Sequence, residues 1–532
     1  MRAPASNELS RAKVRNVALL AIWALACTAC SSLRTDFVKQ SSTALAPAYD
    51  TPAARYVQGE LGQHSDRSGF RLLTRSNNAL MSRVALIDHA AHSIDLQYYI
   101  FNNDDTGRLV AQRLLAAADR GVRVRLLLDD MTVKDQRHMF DALDAHDNIE
   151  VRLFNPFRTR SPSLPSRVAQ FVLEGARLNR RMHNKSFIVD NVVAIVGGRN
   201  IGDAYFDAST ETNFRDLDVV AIGKVVGEAS QAFDSYWNSD AAYPVKAFRE
   251  HHATQGDLAN LRAQLKEHAR AFAQSDYAQA TMEELPNGPT ADRRGEWFWG
   301  SGELVADQPE KIEMRKDEPA LRIGPKVRSI IDAAQDHVLL ISPYFVPGDS
   351  GVKYLSALAA RGVEVEALTN SLAATDEPAA YAGFEHYRKD LLKGGVKLFE
   401  LGPLPGAAQP ATALGTSSGV ALHAKAIVVD KHYVFVGSMN IDQRSKLLNT
   451  EMGVIVDCPP LAAAVAEFFS QAIAPANSFR LKLADPATHS GRIQWIIEKN
   501  GAPVIVDSEP DATRARRIEV SMLRLLPIDG LL

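Results

Sequence analysis

Cysteine is scarce in this sequence. Only three of the 532 residues are cysteines, and two of them, Cys27 and Cys30, stand close to the N-terminus. If Cys30 became the first residue of a processed chain, Cys458 would be the only other thiol. Such a chain could form no intramolecular disulfide framework, so its stability would have to come from a buried core.

An excess of positive charge is also missing. The 60 Lys and Arg residues are outnumbered by 63 Asp and Glu residues, which gives a formal net charge of -3. Proteins that act along nucleic acid usually carry a basic excess, so this balance argues against nucleic acid as the partner. A local basic stretch could still contact nucleic acid or anionic lipid headgroups, or lie on a solvated helix face. The candidates are Arg158, Arg160, Arg167, Arg177, Arg180 and Arg181.

The apolar run nearest the N-terminus, residues 17–26, is too short to span a bilayer comfortably. It follows a basic start and leads to small residues, a layout typical of a secretory signal. Thr28 and Ala29 before Cys30 also resemble the bacterial lipobox, whose cysteine thiol is lipidated. We predict residues 1–30 as a signal peptide with a lipobox-like end and Cys30 as the lipidation site, with Cys27 as the alternative acceptor. An ordinary cleaved signal or an uncleaved anchor is the other interpretation.

A lipid anchor would hold an otherwise soluble body at a membrane surface. The expected location is the cell envelope, as a periplasm-facing lipoprotein, and the choice between the inner and the outer membrane stays open.

Beyond residue 70, short β-rich runs alternate with helical patterns, which favours mixed or parallel sheets covered by helices. The segment 119–124 is echoed by 360–365, and this indicates an internal duplication. The sequence therefore predicts an α/β fold of two homologous halves, each a mixed sheet flanked by helices. The expected divisions are a tether at 31–70, a first half at 71–240, a helical and irregular insertion at 241–320, and a second half with a C-terminal extension at 321–532.

The duplication is sharpest at two short motifs. His183, Lys185 and Asp190 recur 240 residues later as His423, Lys425 and Asp430. Each set is followed at the same distance by Gly, a small residue and Asn, which gives the pairs Gly198 with Ser438 and Asn200 with Asn440. One such motif could be a buried histidine beside a surface lysine, but two with identical spacing point to a shared function.

A histidine and a lysine two residues apart on a strand point to the same face of the sheet. Two such sets facing each other would place two imidazoles, two ammonium groups and two amides around one tetrahedral anion. This arrangement suits phosphoryl transfer, in which one histidine acts as nucleophile while the cations stabilise the phosphate oxygens. The sequence shows no HExxH, no paired CxxC and no carboxylate-rich ligand run, so we predict neither metal nor cofactor, and activity that survives chelation.

The paired HxKxxxxD motifs, each followed by G-[GS]-x-N, resemble those of the phospholipase D superfamily, and the similarity covers both halves. Residues 95–105, 214–218 and 342–347 are also similar to its cardiolipin synthase C-type branch. The resemblance implies two phospholipase D-like halves with one active site at their pseudo-two-fold interface.

The resemblance also implies roles for single residues. His183 would attack phosphorus and His423 would protonate the leaving alcohol, although near-symmetry leaves the reverse assignment open. Lys185, Lys425, Asn200, Asn440 and Ser438 would hold the phosphate oxygens. Asp190 and Asp430 complete the catalytic motifs and are usually structural. Asp216 and Glu451 would orient the histidines of the opposite half, or else be ordinary structural acids.

Three candidate functions follow from this resemblance. The first is a phosphatidyltransferase that makes cardiolipin from phosphatidylglycerol and a second phospholipid through a phosphohistidine. The second is a phospholipase D that hydrolyses phospholipid to phosphatidic acid, and the third is an envelope nuclease. The expected partners are phospholipid substrates and, through the lipid anchor, a membrane surface.

Overall fold

The computed structural model describes residues 37–47, 50–62, 64, 66–133, 136–157, 174–248, 253–284, 297–312, 318–403, 419–484 and 491–525. The predicted signal peptide, with Cys27 and Cys30, lies outside these residues. Within them, no helix combines the length and the apolar character needed to cross a membrane.

The strands of the N-terminal part are β1 (Ser68–Leu73), β2 (Ser93–Tyr98), β3 (Arg123–Asp129), β4 (Ile149–Phe154), β5 (Ser186–Val189), β6 (Val193–Gly197), β7 (Asn213–Arg215), β8 (Asp218–Ile222) and β9 (Ala242–Pro244). Those of the C-terminal part are β10 (Phe298–Ala306), β11 (His337–Ile341), β12 (Glu364–Asn370), β13 (Lys397–Leu401), β14 (Val420–Leu422), β15 (Ala426–Val429), β16 (Tyr433–Gly437), β17 (Met452–Asp457), β18 (Ser478–Leu483), β19 (Ile493–Lys499) and β20 (Ala502–Val506).

The α-helices with defined bounds are α1 (Pro52–Leu61), α2 (Ser76–His89), α3 (Asp105–Asp119), α4 (Asp130–Val133), α5 (Arg137–Leu143), α6 (Lys224–Asn238), α7 (Gln255–Ala273), α8 (Asp276–Glu284), α9 (Gly324–Asp332), α10 (Gly348–Ala360), α11 (Pro378–Lys393), α12 (Gln443–Leu447), α13 (Pro459–Ala472) and α14 (Arg514–Leu523).

The two halves repeat one sheet topology. In the first half the strand order is β9-β4-β3-β2-β5-β6-β8-β1, and only the pairs among β2, β3 and β4 are parallel. In the second half the order is β10-β17-β16-β15-β11-β12-β13-β18-β19-β20, and β11, β12 and β13 form the parallel part. The predicted α/β architecture of two homologous halves is confirmed.

Strands β1 and β10 join the halves into one continuous sheet. They pair antiparallel, with Gly69 opposite Trp299, so 18 of the described strands belong to a single sheet. Helix α6 of the first half packs on β10, and helix α13 of the second half packs on β1. One of the three apolar cores draws on both halves, with Trp237 and Val219 from the first and Val454 and Phe468 from the second. The halves therefore share a core as well as a sheet.

Two expected divisions differ from the structure. Residues 39–44, predicted as part of a tether, run along α6: Ser42 and Ala44 donate backbone hydrogen bonds to Asn238 and Asp234. Helix α1 and the start of β1 also fall inside 31–70. This segment therefore makes hydrogen bonds to the body, although about half of its residues remain exposed to solvent. In the same way, the expected insertion 241–320 contains β10, the strand that closes the junction between the halves.

Candidate active site

Two short backbone ladders cross between the halves next to the two motifs. Strand β14 pairs parallel with β7, which sets Leu422 opposite Arg215. An isolated parallel bridge sets Met182 opposite Thr450. The amide of His423 donates to the carbonyl of Arg215 and the amide of His183 donates to that of Thr450, both at 2.9 Å. Each histidine is therefore fixed by backbone from the other half.

These ladders place a carboxylate of the opposite half on each histidine. Glu451, which follows Thr450, lies 2.9 Å from Nδ1 of His183 through its Oε2. Asp216, which follows Arg215, lies 2.6 Å from Nδ1 of His423 through its Oδ2. Since each Nδ1 is bound to a carboxylate, each Nε2 is the ring nitrogen left for chemistry.

Both histidines line one cavity of about 460 Å³. Its other lining groups include Asn200 and Asn440, so the structure brings the two histidines and the two motif asparagines together across the interface. Oδ1 of Asn200 accepts from the amide of Ile100 at 3.1 Å, which leaves its amide nitrogen as the donor for a ligand. A larger cavity of about 1090 Å³ lies between α3, α5 and α7, but neither histidine lines it.

The motif lysines are buried beside the histidines. Lys185 and Lys425 are each 1% exposed, and their ammonium groups donate to the backbone carbonyls of His183 and His423. Burial lowers the pKa of Lys185 to about 7 and that of Lys425 to about 8. Such ammonium groups are poorly solvated, so an anion entering the cavity would stabilise their charged form.

Burial and the neighbouring lysines also lower the pKa of both histidines. The pKa of His183 lies well below its usual value because the ring is desolvated and faces Lys185 and Lys425. Burial and Lys425 lower the pKa of His423 to about 4, although Asp216 opposes the shift. Both imidazoles are therefore neutral at neutral pH before an anion binds.

The two orienting carboxylates differ in charge. Burial by itself would raise the pKa of Asp216, but His423, Lys425 and Arg199 outweigh it and lower the pKa to about 2. Burial raises the pKa of Glu451 to about 7, and Lys185 opposes this shift only in part. Asp216 is thus a fixed anion, whereas Glu451 changes charge near neutral pH.

The last residue of each motif lies away from the cavity. Asp190 and Asp430 sit in the tight turns β5–β6 and β15–β16, with φ of 52° and 51°. Asp190 accepts backbone hydrogen bonds from Ala91, His92 and Ser93, and Asp430 accepts them from residues 335–337. These aspartates hold the start of β2 and β11 against the motif strands, so they do not touch a ligand in the cavity.

The prediction that Ser438 holds a phosphate oxygen is wrong. The hydroxyl of Ser438 is fully buried, donates to Oε2 of Glu451 at 2.5 Å and accepts from the amide of Met452 at 3.0 Å. At the equivalent Gly198, a Cβ would come within 2.1 Å of Oδ1 of Asp216. The first half has glycine at this position because a side chain would collide with Asp216, whereas the second half has serine because its hydroxyl binds Glu451.

Several residues that support the catalytic histidines belong to no recognisable sequence motif. Asp129, at the end of β3, binds Nε of Arg181 at 2.8 Å and the amide of Met182 at 2.9 Å, just before His183. Asn370, at the end of β12, binds the backbone of Leu422 in the same way. Asp129 and Asn370 stand at the same position of two duplicated strands, and this repetition could have identified them from the sequence.

A second support lies behind Glu451. Ser445 donates from its hydroxyl to Oε1 of Glu451 at 2.8 Å. Asp307 accepts the amide of Glu451 at 2.8 Å and pairs with Lys311 at 2.6 Å. All four side chains are buried. Asp307 and Lys311 come from the segment between the halves, so the duplicated pattern could not reveal them.

The described arginines of the basic stretch before the first motif make contacts within the fold. Arg181 is fully buried against Asp129, Arg177 binds Glu174 and Asn155, and Arg180 donates to the carbonyl of Ile312. Arg158, Arg160 and Arg167 lie outside the described residues. Arg181 is therefore a structural cation and does not face a nucleic acid or a headgroup.

Comparisons with known proteins agree with this geometry. The chain matches the family described as "Cardiolipin synthase, PLD-like domain" twice, over residues 84–237 and 327–473. It is 38% identical over 473 residues to cardiolipin synthase C of Escherichia coli, across 88% of this chain and 97% of that protein. It is 25% identical over 420 residues to a cardiolipin synthase of Staphylococcus aureus, across 78% and 68% of the two chains.

Among solved structures, a phosphatidylserine synthase of Haemophilus influenzae is similar with a TM-score of 0.54 at 14% identity, over 90% of this chain and all of that one. At this identity the likeness shows the fold alone. The fold, the duplicated motifs and the family matches place the chain in the phospholipase D superfamily of enzymes. Within it, the chain belongs to the cardiolipin synthase family, as its sequence predicted.

Proposed function

We propose that this chain is a phosphatidyltransferase that makes cardiolipin from phosphatidylglycerol and a second phospholipid through a phosphohistidine. The observation that carries the proposal is the crossed pairing of His183 with Glu451 and of His423 with Asp216 at one cavity. The identity to Escherichia coli cardiolipin synthase C supports the choice of product.

In the first step, Nε2 of His183 attacks phosphorus of the donor phospholipid and the bond from phosphorus to the headgroup oxygen breaks. His423 gives a proton to the departing alkoxide, so the headgroup leaves as a neutral alcohol. The bound phosphodiester anion favours this step, because a nearby negative charge raises the pKa of His423 from its low resting value.

In the second step, a hydroxyl of phosphatidylglycerol gives its proton to His423 and attacks the phosphatidyl group on His183. The bond from phosphorus to nitrogen breaks, cardiolipin leaves, and both histidines return to their starting states. Lys185, Lys425, Asn200 and Asn440 hold the phosphate oxygens in both steps, where preorganised donors stabilise the charge that develops.

The location of the enzyme depends on its N-terminus. We propose that Cys30 carries the lipid and holds the body at the periplasmic face of an envelope membrane, as the residue pattern before it suggests. The described body starts at residue 37, where Phe37 packs on the apolar core of the first half. About seven residues of extended chain reach only roughly 25 Å, so this tether is short.

The anchor is tested by metabolic labelling with a palmitate analogue. Cys30→Ser should abolish the label and release the protein from the membrane fraction, whereas the matched Cys27→Ser should retain both properties. Label that is retained in Cys30→Ser and lost in Cys27→Ser would move the anchor to Cys27. Absence of label from the wild type would exclude lipidation.

The activity is tested by mass spectrometry of lipids after incubation with vesicles of phosphatidylethanolamine and phosphatidylglycerol, in the presence of EDTA. Cardiolipin should form with the wild type and not with His183→Ala. His432→Ala is the matched control, because His432 is half-exposed and pairs with Asp457 outside the cavity. Phosphatidic acid alone would make the chain a hydrolase, and turnover of neither lipid would direct the search to nucleic acid.

A further inference from the structure

A second cavity, of about 420 Å³, lies in the second half beside the catalytic one. We call it the tail groove. It runs between α9, α10 and the segment that follows β16, and its apolar walls are Ile323, Val327, Leu340, Leu355, Met439 and Ile441. Its volume falls within the range of ordinary ligand sites. An apolar groove of this size in an otherwise well-packed half calls for an apolar occupant.

The tail groove adjoins the catalytic cavity. Asn440, Asp442 and Ser445 line both of them. The hydroxyl of Ser445 donates to Glu451, and Glu451 holds His183, so the two cavities meet on the His183 side of the site. An acyl chain of a lipid bonded to His183 would enter the groove past these three shared side chains.

The edge of the groove carries positive charge. Arg328 and Lys446 line it and are exposed to solvent, and Arg328 pairs with Asp332 at 3.5 Å. With the donor phosphate at His183, these cations would face the anionic headgroups of the membrane that supplies the donor. A phospholipid matches the two adjoining cavities, with a phosphate for the polar one and a hydrocarbon chain for the apolar one. A peptide or a polynucleotide would leave the apolar walls unfilled.

We propose that the tail groove binds one fatty acyl chain of the phosphatidyl group while its phosphorus is bonded to His183. The inference rests on the proposed function, since it assigns the groove to the donor lipid of the same reaction. The groove then contributes to the choice of substrate, because a donor with a short chain leaves part of the apolar wall in contact with water.

Gly324 offers a way to fill the groove without straining the fold. It lines the groove at the start of α9, and a Cβ at this position meets no atom within 4 Å. Gly324→Phe should lower the ratio of kcat/KM for long-chain over short-chain phosphatidylglycerol by about tenfold, the cost of leaving about two methylenes in water. The matched control is Gly227→Phe on α6, where a Cβ also has open space. An unchanged ratio in Gly324→Phe would overturn the proposal.

A binding experiment separates this inference from the proposed function, because it needs no turnover. The probe is phosphatidylglycerol with a photoactivatable diazirine near the end of one acyl chain, in vesicles with the full chain. Label is expected in peptides covering residues 319–331 and 439–446, and Gly324→Phe should reduce it about tenfold. Label confined to other surfaces, or equally strong in Gly324→Phe, would overturn the tail groove even if cardiolipin is made. Label in the groove without lipid turnover would contradict only the proposed reaction.

Discussion

At the scale of single residues, the two histidines are chemically unlike although their motifs are nearly identical. The anion of Asp216 is stabilised by Arg199, whose guanidinium also binds the backbone carbonyl of Asp216 at 2.8 Å. The residue equivalent to Arg199 in the second half is Met439. Glu451 therefore lacks a matching arginine, and burial raises its pKa to about 7 against the opposing charges of Lys185 and Lys311. This contrast is consistent with different chemical roles for the two histidines, His183 as nucleophile and His423 as acid and base.

Asp216→Asn should reduce kcat by roughly 10³ to 10⁴-fold, because an amide in place of the carboxylate no longer selects the Nδ1–H tautomer of His423. The measurement is steady-state lipid transfer, with circular dichroism to check the fold. Asp457→Asn removes the carboxylate of a half-exposed His–Asp pair and should leave kcat unchanged. An Asp216→Asn enzyme with nearly full activity would show that His423 needs no orienting carboxylate.

The pH dependence of kcat/KM should be bell-shaped with its maximum near pH 7. Below about pH 7, Glu451 gains a proton and stops accepting from Nδ1–H of His183, so activity falls as the pH decreases. As the pH rises past about 7 for Lys185 and about 8 for Lys425, these groups lose the charge that holds phosphate. A profile that is flat from about pH 5 to about pH 9 would contradict these assignments.

At the scale of elements, the segment between the halves contributes to the site. Strand β10 ends at Ala306, and the next residue, Asp307, binds the amide of Glu451 and the ammonium of Lys311. Lys311 also donates to the carbonyl of Ser445 at 2.8 Å. In the described part of the first half, the buried acid at the site's edge is Asp218, and it is bound by Arg199 and Arg83 instead of by a lysine.

Lys311→Met should move the acidic limb of the pH profile to higher pH, because the positive charge of Lys311 lowers the pKa of Glu451. Breaking a buried ion pair should also destabilise the fold by about 3–5 kcal/mol. The measurements are kcat/KM against pH and urea denaturation. Lys311→Arg keeps the charge and should retain the acidic limb. An acidic limb that does not move in Lys311→Met would show that the Asp307–Lys311 pair does not influence the titration of Glu451.

The elements also show what sequence could predict. The motif strands β5 and β15 were recognisable because their residues are apolar, β-branched and duplicated. Strand β10 was not, since it contains two glycines, its residues are mostly half-buried or exposed, and its partners β1 and β17 are remote in sequence. Asp307 and Ser445 were missed for the same reason: their contacts with the site depend on tertiary structure and follow no local pattern.

At the scale of the whole molecule, both halves are needed to build the site. The sheet is continuous through β1 and β10, one core is shared, and both histidines depend on the other half for backbone and carboxylate partners. The duplication and the two motifs predicted this architecture. They could not predict the sheet junction, because the joining strands, although equivalent in the two sheets, lie outside the segments whose duplication is visible in the sequence.

Unfolding should therefore be cooperative across both halves. Hydrogen exchange at increasing urea, followed by mass spectrometry, should show β3 and β12 losing protection at the same urea concentration, since the halves share one sheet and one of their apolar cores. The hairpin β19–β20, whose outer strand is mostly exposed, should lose protection earlier and serves as the internal control. Separate midpoints for β3 and β12 would show that the halves are independent domains.

The central claim is that one site shared by both halves works through a covalent bond to His183. The most direct test uses His423→Ala and a phosphatidyl ester of p-nitrophenol, a leaving group that needs no protonation. We predict a stoichiometric burst of nitrophenolate followed by a stall, because no base activates the acceptor, and a phosphatidyl adduct on the peptide that contains His183. An adduct on any other residue, or turnover without an adduct, would contradict the account.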